Sequence, residues 1–148
     1  MNDNLKNEKV FLDTNIFVYC FDNTAPLKAK IANSLVIKAL ETGYGLVSFQ
    51  VVQEFFNIAL KRFDPPFTHH DAERYFSMVF QPLLAVHSSP SLYFQALSLK
   101  SRYQLPWYDS LIVAGAAESG CTALVSEDMQ HGRKIEDLRI VNPFLSVS

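Results

Sequence analysis

Val10-Phe11-Leu12-Asp13-Thr14-Asn15 sets a short apolar run against an abrupt polar stop. Bulky apolar residues in succession, without alternation, suit a strand buried on both faces, as in a parallel sheet. An acid directly after such a strand stands at its carboxyl end, where open α/β sheets form their ligand sites. Working outward, Gly45-Leu46-Val47-Ser48 is a second short strand, Leu83 to His87 a third and Thr122 to Ser126 a fourth, with Leu138 to Val141 a candidate fifth.

The stretches between them carry helical spacing. Pro26 to Thr42 has Ile31, Leu35 and Ala39 on one face and Gly43 placed as its stop. A helix from about Gln50 to Arg62 carries Val52, Phe55, Phe56 and Ala59 at core spacing and ends before Pro65-Pro66. Thr68 caps the next, which carries Tyr75, Phe76 and Val79 and is expected to stop before Pro82. Ser89-Pro90 opens a helix to about Tyr103, and Pro106 opens another through Ser119, apolar on nearly every face from Leu111 to Ala117 and ended by Gly120. Strands alternating with helices of this length predict a parallel sheet covered on both faces.

The chain has 148 residues, 49% hydrophobic and 19% charged, which excludes a disordered segment and fits one domain over residues 1–148, with 1–8 expected as a flexible N-terminal segment. Its net charge of −2, from 13 basic and 15 acidic side chains, excludes a protein that holds nucleic acid by bulk electrostatics. A nucleic-acid role must then rest on a local site, with bound cations supplying positive charge. Cys20 and Cys121 lie far apart, with no metal-ligand spacing, and read as small hydrophobes in a reducing compartment. Met1 to Lys9 is polar, without a signal-peptide core, and no apolar run approaches the roughly 20 residues that span a bilayer. The expectation is a soluble, cytoplasmic protein that makes no membrane contact.

Four carboxylates fall near one edge of such a sheet. Asp13 follows strand one, Glu54 lies early in the helix after strand two, Asp109 sits in the first turn of the Pro106 helix, and Asp128 follows strand four beside Glu127. Like charges converge only with a counter-charge, and oxygen donors without His or Cys favour Mg²⁺ or Mn²⁺. Such a site suits phosphoryl chemistry. Each residue also has a plain reading: Asp13 as a turn former or cap, Asp109 as a helix-dipole partner, Glu54 paired with Lys61 or Arg62, and Glu127 or Asp128 as solvated loop. Thr14 and Asn15 either form an ordinary turn or support the carboxylates by hydrogen bonds. Shared placement, not any one residue, raises the metal reading.

The segments Val10-Phe11-Leu12-Asp13-Thr14-Asn15-Ile16-Phe17-Val18-Tyr19, Val52-Gln53-Glu54-Phe55-Phe56-Asn57, Trp107-Tyr108-Asp109-Ser110-Leu111-Ile112 and Leu124-Val125-Ser126-Glu127-Asp128-Met129-Gln130-His131-Gly132 resemble, in this order, the PIN-domain nucleases. Within that family they resemble the VapC-type toxins of bacterial toxin–antitoxin pairs, over about Val10 to Phe144. The resemblance implies a three-layer α/β/α sandwich with a mainly parallel sheet of four to five strands. It also implies a Mg²⁺- or Mn²⁺-dependent endoribonuclease acting on RNA, usually a homodimer, inhibited by a cognate antitoxin as the toxin of a type II pair. Carried over by position, the acids are Asp13, Glu54, Asp109 and Asp128, with Asn15 and Ser126 as supporting polar residues. The motif favours Asp128 over Glu127.

Two rivals follow from the same residues. A phosphatase with a nucleophilic aspartate after strand one would want an acid two positions on, where Asn15 stands. A PIN-like scaffold that binds RNA or protein without cleaving would be expected to lack a carboxylate, and all four are present. Of the remaining conspicuous residues, His131, Arg133 and Lys134 either contact phosphate or form an exposed loop, and His69-His70 reads as helix surface. Trp107 reads as a helix anchor, Tyr108 as a candidate base-stacking ring, and Tyr93, Phe94 and Leu97 as core or dimer interface.

Overall fold

A central sheet in the order β3-β2-β1-β4-β6-β5 organises the computed structural model, which describes Leu5 and residues 7–147. The strands are β1 (Val10–Leu12), β2 (Gly45–Ser48), β3 (Leu84–Val86), β4 (Ala123–Val125), β5 (Lys134–Ile135) and β6 (Leu138–Val141). All neighbours are parallel except β5 with β6. The sixth strand, the two-residue β5, escapes the sequence reading because it is too short to show a period.

The helices are α1 (Thr14–Tyr19), α2 (Pro26–Thr42), α3 (Phe49–Ala59), α4 (His69–Tyr75), α5 (Gln81–Leu83), α6 (Pro90–Tyr103) and α7 (Trp107–Glu118). Neighbouring residues of a strand face opposite sides of the sheet, and β1 shows what covers each. A Cβ placed on Gly115 of α7 would lie 3.8 Å from Phe11, whereas one placed on Gly45 would lie 3.7 Å from Leu12 and 2.2 Å from Ala39 of α2. The two faces are therefore covered by α7 and α2, as a doubly covered parallel sheet requires.

Gly45 is where β2 and α2 touch, so Gly45→Ala should force them apart and cost about 1–3 kcal/mol. The check is the urea midpoint: an unchanged midpoint would show that α2 can shift freely on the sheet. Gly43 has a different duty, closing α2 in the left-handed conformation at φ 73°.

The helices differ from the sequence expectation in three places, the first being a helix that was not expected. α1 begins at once from Asp13, whose carboxylate accepts from the Thr14 amide, and buries Ile16 and Phe17. α3 ends at Ala59 rather than near Arg62, because the chain folds back and the Phe67 amide bonds the Ala59 carbonyl at 2.9 Å. The helix capped by Thr68 does not stop before Pro82. It widens into a π-helical turn over Phe76–Phe80 and resumes as α5, with Pro82 in the first turn, where no backbone donor is needed.

The segment 1–8, expected to be flexible, is described in part. Residues 1–4 and 6 lie outside the described residues, but Leu5 is buried in the core and Glu8 pairs with Arg139 at 3.0 Å. On α6, the buried face is Leu92, Ala96 and Leu99, so Tyr93, Phe94 and Leu97 are exposed and not core. No helix among the described residues is long and apolar enough to cross a membrane.

Candidate active site

From β1 the chain proceeds to β2 and β3 on one side and returns to β4 on the other. The β1/β4 boundary is thus the point where strand order reverses, and the carboxyl ends of its two strands deliver Asp13 and the Ser126-Glu127-Asp128 segment together. β2, on the other side of β1, leads directly into α3, which brings Gln50 and Glu54 to the same edge.

Asp13 is buried, and its two oxygens accept from the Thr14 amide and the Ser126 hydroxyl, each at 2.7 Å. Burial pushes its carboxyl up to about 6 against the pull of these two bonds, and the charges of Asp128 and Glu54 add to the rise. The Asp109 carboxyl is also raised, first by burial and then by the same two charges. Asp13 and Asp109 therefore both lie within electrostatic reach of Glu54 and Asp128. The four form one acidic constellation.

Each outer acid has its own support. Glu54 accepts from Thr14 Oγ1 at 3.1 Å and from Gln50 Nε2 at 2.7 Å. The Gln50 amide also reaches the Tyr108 carbonyl at 3.3 Å, joining α3 to the turn that carries Asp109. Asp128 accepts from Asn15 Nδ2 at 3.0 Å, while its own amide donates to Ser126 Oγ at 3.2 Å. Thr14, Asn15 and Ser126 each bond a site carboxylate. Glu127, by contrast, turns away to Lys28, at 2.6 Å, and to Tyr19. Burial raises its carboxyl, but these two donors outweigh that and hold it below the usual range.

Several residues have other duties. The imidazole of His131 accepts the Asn142 amide, and Arg133 donates to the Tyr103 carbonyl at 2.8 Å, so both brace the loop behind the site. His69 lies on the α4 surface beside Glu73. Trp107 packs against the core, whereas Tyr108 is 67% exposed at the start of α7. Neither cysteine is paired with the other. Gln50 was not anticipated. Its signal is a polar side chain buried at the start of a helix, one turn before Glu54.

The donor set can be tested against a divalent cation. All its donors are hard oxygens, and burial, with the neighbouring carboxylates, disfavours ionisation of Asp13 and Asp109, a cost that a bound cation would offset. The Asn15 Oδ1 atom is buried without a hydrogen-bond partner among the described residues. No group of three or more His, Cys, Asp or Glu among the described residues is close enough to enclose an ion. The fit is that of an open site, where one or two carboxylates hold the ion and water or phosphate oxygens complete its shell.

An α/β sheet with an acidic site at its switch point is the class this geometry defines. The PIN domain family model matches residues 10–135, and the chain belongs to the PIN domain family. No curated protein matches it in sequence. Among solved structures, a toxin–antitoxin complex from Klebsiella pneumoniae contains a chain 20% identical, with TM-score 0.62, covering 90% of this chain and 97% of that one. The VapBC2 structure from Rickettsia felis, bound to a promoter DNA fragment, contains a chain 18% identical at TM-score 0.61, with 88% and 96% covered. Mycobacterium tuberculosis VapC20, described as a sarcin-ricin loop cleaving toxin, is 18% identical at TM-score 0.57, with 78% and 86% covered. At these identities the likeness is one of fold.

Proposed function

We propose that this chain is a Mg²⁺- or Mn²⁺-dependent endoribonuclease, the toxin of a type II toxin–antitoxin pair. The observation that carries the reading is the meeting of Asp13, Glu54, Asp109 and Asp128 at the switch point, each electrostatically coupled to others of the set. Membership of the PIN domain family supports nuclease chemistry, and likeness to chains from toxin–antitoxin complexes supports the toxin role. A neighbour described as cleaving the sarcin-ricin loop supports RNA as substrate.

Asp13 and Asp109 are assigned as the principal ligands, with Glu54 and Asp128 completing the site and orienting the attacking water. A bound cation would activate that water and neutralise charge gathering on the phosphate. The chain's own contribution is to fix the acids. Ser126 and the Thr14 amide hold Asp13, Gln50 and Thr14 hold Glu54, and Asn15 holds Asp128. Local cation binding answers the net charge of −2, which would otherwise repel RNA. The exposed Tyr93, Phe94 and Leu97 stripe is assigned to a homodimer contact.

The test is cleavage of a structured RNA with Mn²⁺, with EDTA, and after Mn²⁺ is restored in excess. Cleavage should vanish with EDTA and return with the metal. RNA binding without cleavage in any condition would favour the scaffold reading, which the open ligand set also accommodates. Growth arrest on expression, relieved by a co-encoded neighbour, would distinguish a toxin from a processing nuclease.

A further inference from the structure

Two side chains of α1, one helical turn apart, reach the loop after β4. Asn15 donates to Asp128, and Tyr19 donates to Glu127. Residues i and i+4 share a helix face, so one face of α1 grips two consecutive acids. Lys28, on α2, closes the arrangement from the other side. Its ammonium lies 2.6 Å from Glu127, 3.4 Å from the Tyr19 hydroxyl and 5.0 Å from the centre of the Tyr19 ring. The Phe144 ring stands edge-on to Tyr19 at 5.0 Å and beneath the same ammonium at 5.7 Å.

The arrangement has a mechanical consequence. Asp128 is exposed, and among the described residues its carboxylate has a single hydrogen bond, from Asn15. A side chain so lightly held takes its direction from its backbone. That backbone is fixed on one side by Ser126, which bonds both Asp13 and the Asp128 amide. Between Ser126 and Asp128 in the chain stands Glu127, anchored by Lys28 and Tyr19. We propose that Tyr19 and Lys28 are positioning residues, which clamp Glu127 to α1 and α2 and thereby aim Asp128 at the acidic site. The proposal rests on the nuclease reading for its effect on activity, but the clamp itself can be measured without it.

The experiment pairs Lys28→Met with Asp128→Asn in a double-mutant cycle on the full chain. Mn²⁺ binding is followed by the loss of the free-ion paramagnetic resonance signal, RNA cleavage in parallel, and amide exchange along residues 126–130 by hydrogen–deuterium exchange. Lys28→Met should weaken Mn²⁺ binding and lower cleavage roughly tenfold, as loss of an outer support typically does. Lys28→Arg should restore most of both. In the Asp128→Asn background, Lys28→Met should change neither further, because the residue through which it acts is gone. Amide exchange at 126–130 should quicken in Lys28→Met and Tyr19→Phe, with the β1 and β4 amides unchanged. Equal effects of Lys28→Met in both backgrounds, or unchanged exchange at 126–130, would overturn the proposal. A wild-type chain that neither cleaves nor binds Mn²⁺ would instead defeat the nuclease reading, while the exchange measurement would still decide the clamp.

Discussion

Asp13→Asn should cut RNA cleavage on the order of 10³-fold, the size expected when several kcal/mol of charge stabilisation is lost, and yet give a more stable metal-free protein. The two expectations share one cause. Asp13 is held at about 6 in the folded chain against an ordinary 3.8, so the folded state holds this proton more tightly than the unfolded chain does. The proton's contribution to stability is present below 3.8 and is lost as pH rises through about 6, and above that window an ionised Asp13 costs about 3 kcal/mol. Asn has the same shape. Its oxygen can accept from the Thr14 amide, and its amino group can donate to Ser126, whose hydroxyl oxygen can accept a second bond. Urea unfolding at pH 7 without metal should therefore show a gain of about 1–3 kcal/mol, and the loss of stability between pH 4 and 6 should flatten. Adding Mn²⁺ should offset this gain, since a cation at a hundredfold excess over its Kd adds about 2.7 kcal/mol to a protein that binds it. A variant that cleaves like wild type would remove Asp13 from the site. A variant less stable than wild type without metal would show that its carboxylate is not the burden its burial implies.

The features most readable from sequence were those with local causes. Val10-Phe11-Leu12 followed by Asp13 marks a buried strand and its end within four residues, and Gly43, Thr68 and Pro106 mark helix limits through backbone chemistry that needs no distant partner. The four acids could be placed at one edge because strand ends in a parallel sheet share that edge. Features fixed by remote contacts could not be read in the same way. α1 is only six residues long and owes its existence to Ile16 and Phe17 being buried by the rest of the fold. The choice between Glu127 and Asp128 depends on Lys28, 99 positions earlier in the chain, and Lys28 alone looks like any helix-surface cation. The core alternative for Tyr93, Phe94 and Leu97 failed for the opposite reason, while the dimer-interface alternative stands as proposed. Their spacing matches a buried stripe, but α6 turns a neighbouring face, Leu92, Ala96 and Leu99, to the core.

Phe55→Ala should cost about 3–5 kcal/mol, with the upper end expected, and Phe55→Leu clearly less. Phe55 is fully buried and stacks on Tyr75 at 4.9 Å and 16°. Around it stand Phe21, Phe56, Phe63, Phe67 and Phe80, with ring centres between 5.1 and 6.1 Å away. These rings come from separate segments: the turn after α1, α3, the loop after it, and the helical run leading to α5. Several also touch one another, as Phe63 does Phe67 and Tyr75 does Phe80. A cavity at the centre of such a set cannot close by moving one ring without opening a gap at the next, which is why the high end is expected. Against a total of about 5–15 kcal/mol for a small domain, the loss would leave a marginal fold. The urea midpoint measures it, and a shift no larger than that of Phe55→Leu would show that the rings collapse independently. The effect should extend to the site, because Glu54 precedes Phe55 on α3 and its hydrogen bonds to Gln50 and Thr14 depend on how that helix sits. Under conditions where both variants remain folded, Phe55→Ala should lose more cleavage than Phe55→Leu. Equal activity would mean that the first turns of α3 are held by Gln50 and the sheet alone, independently of the aromatic cluster.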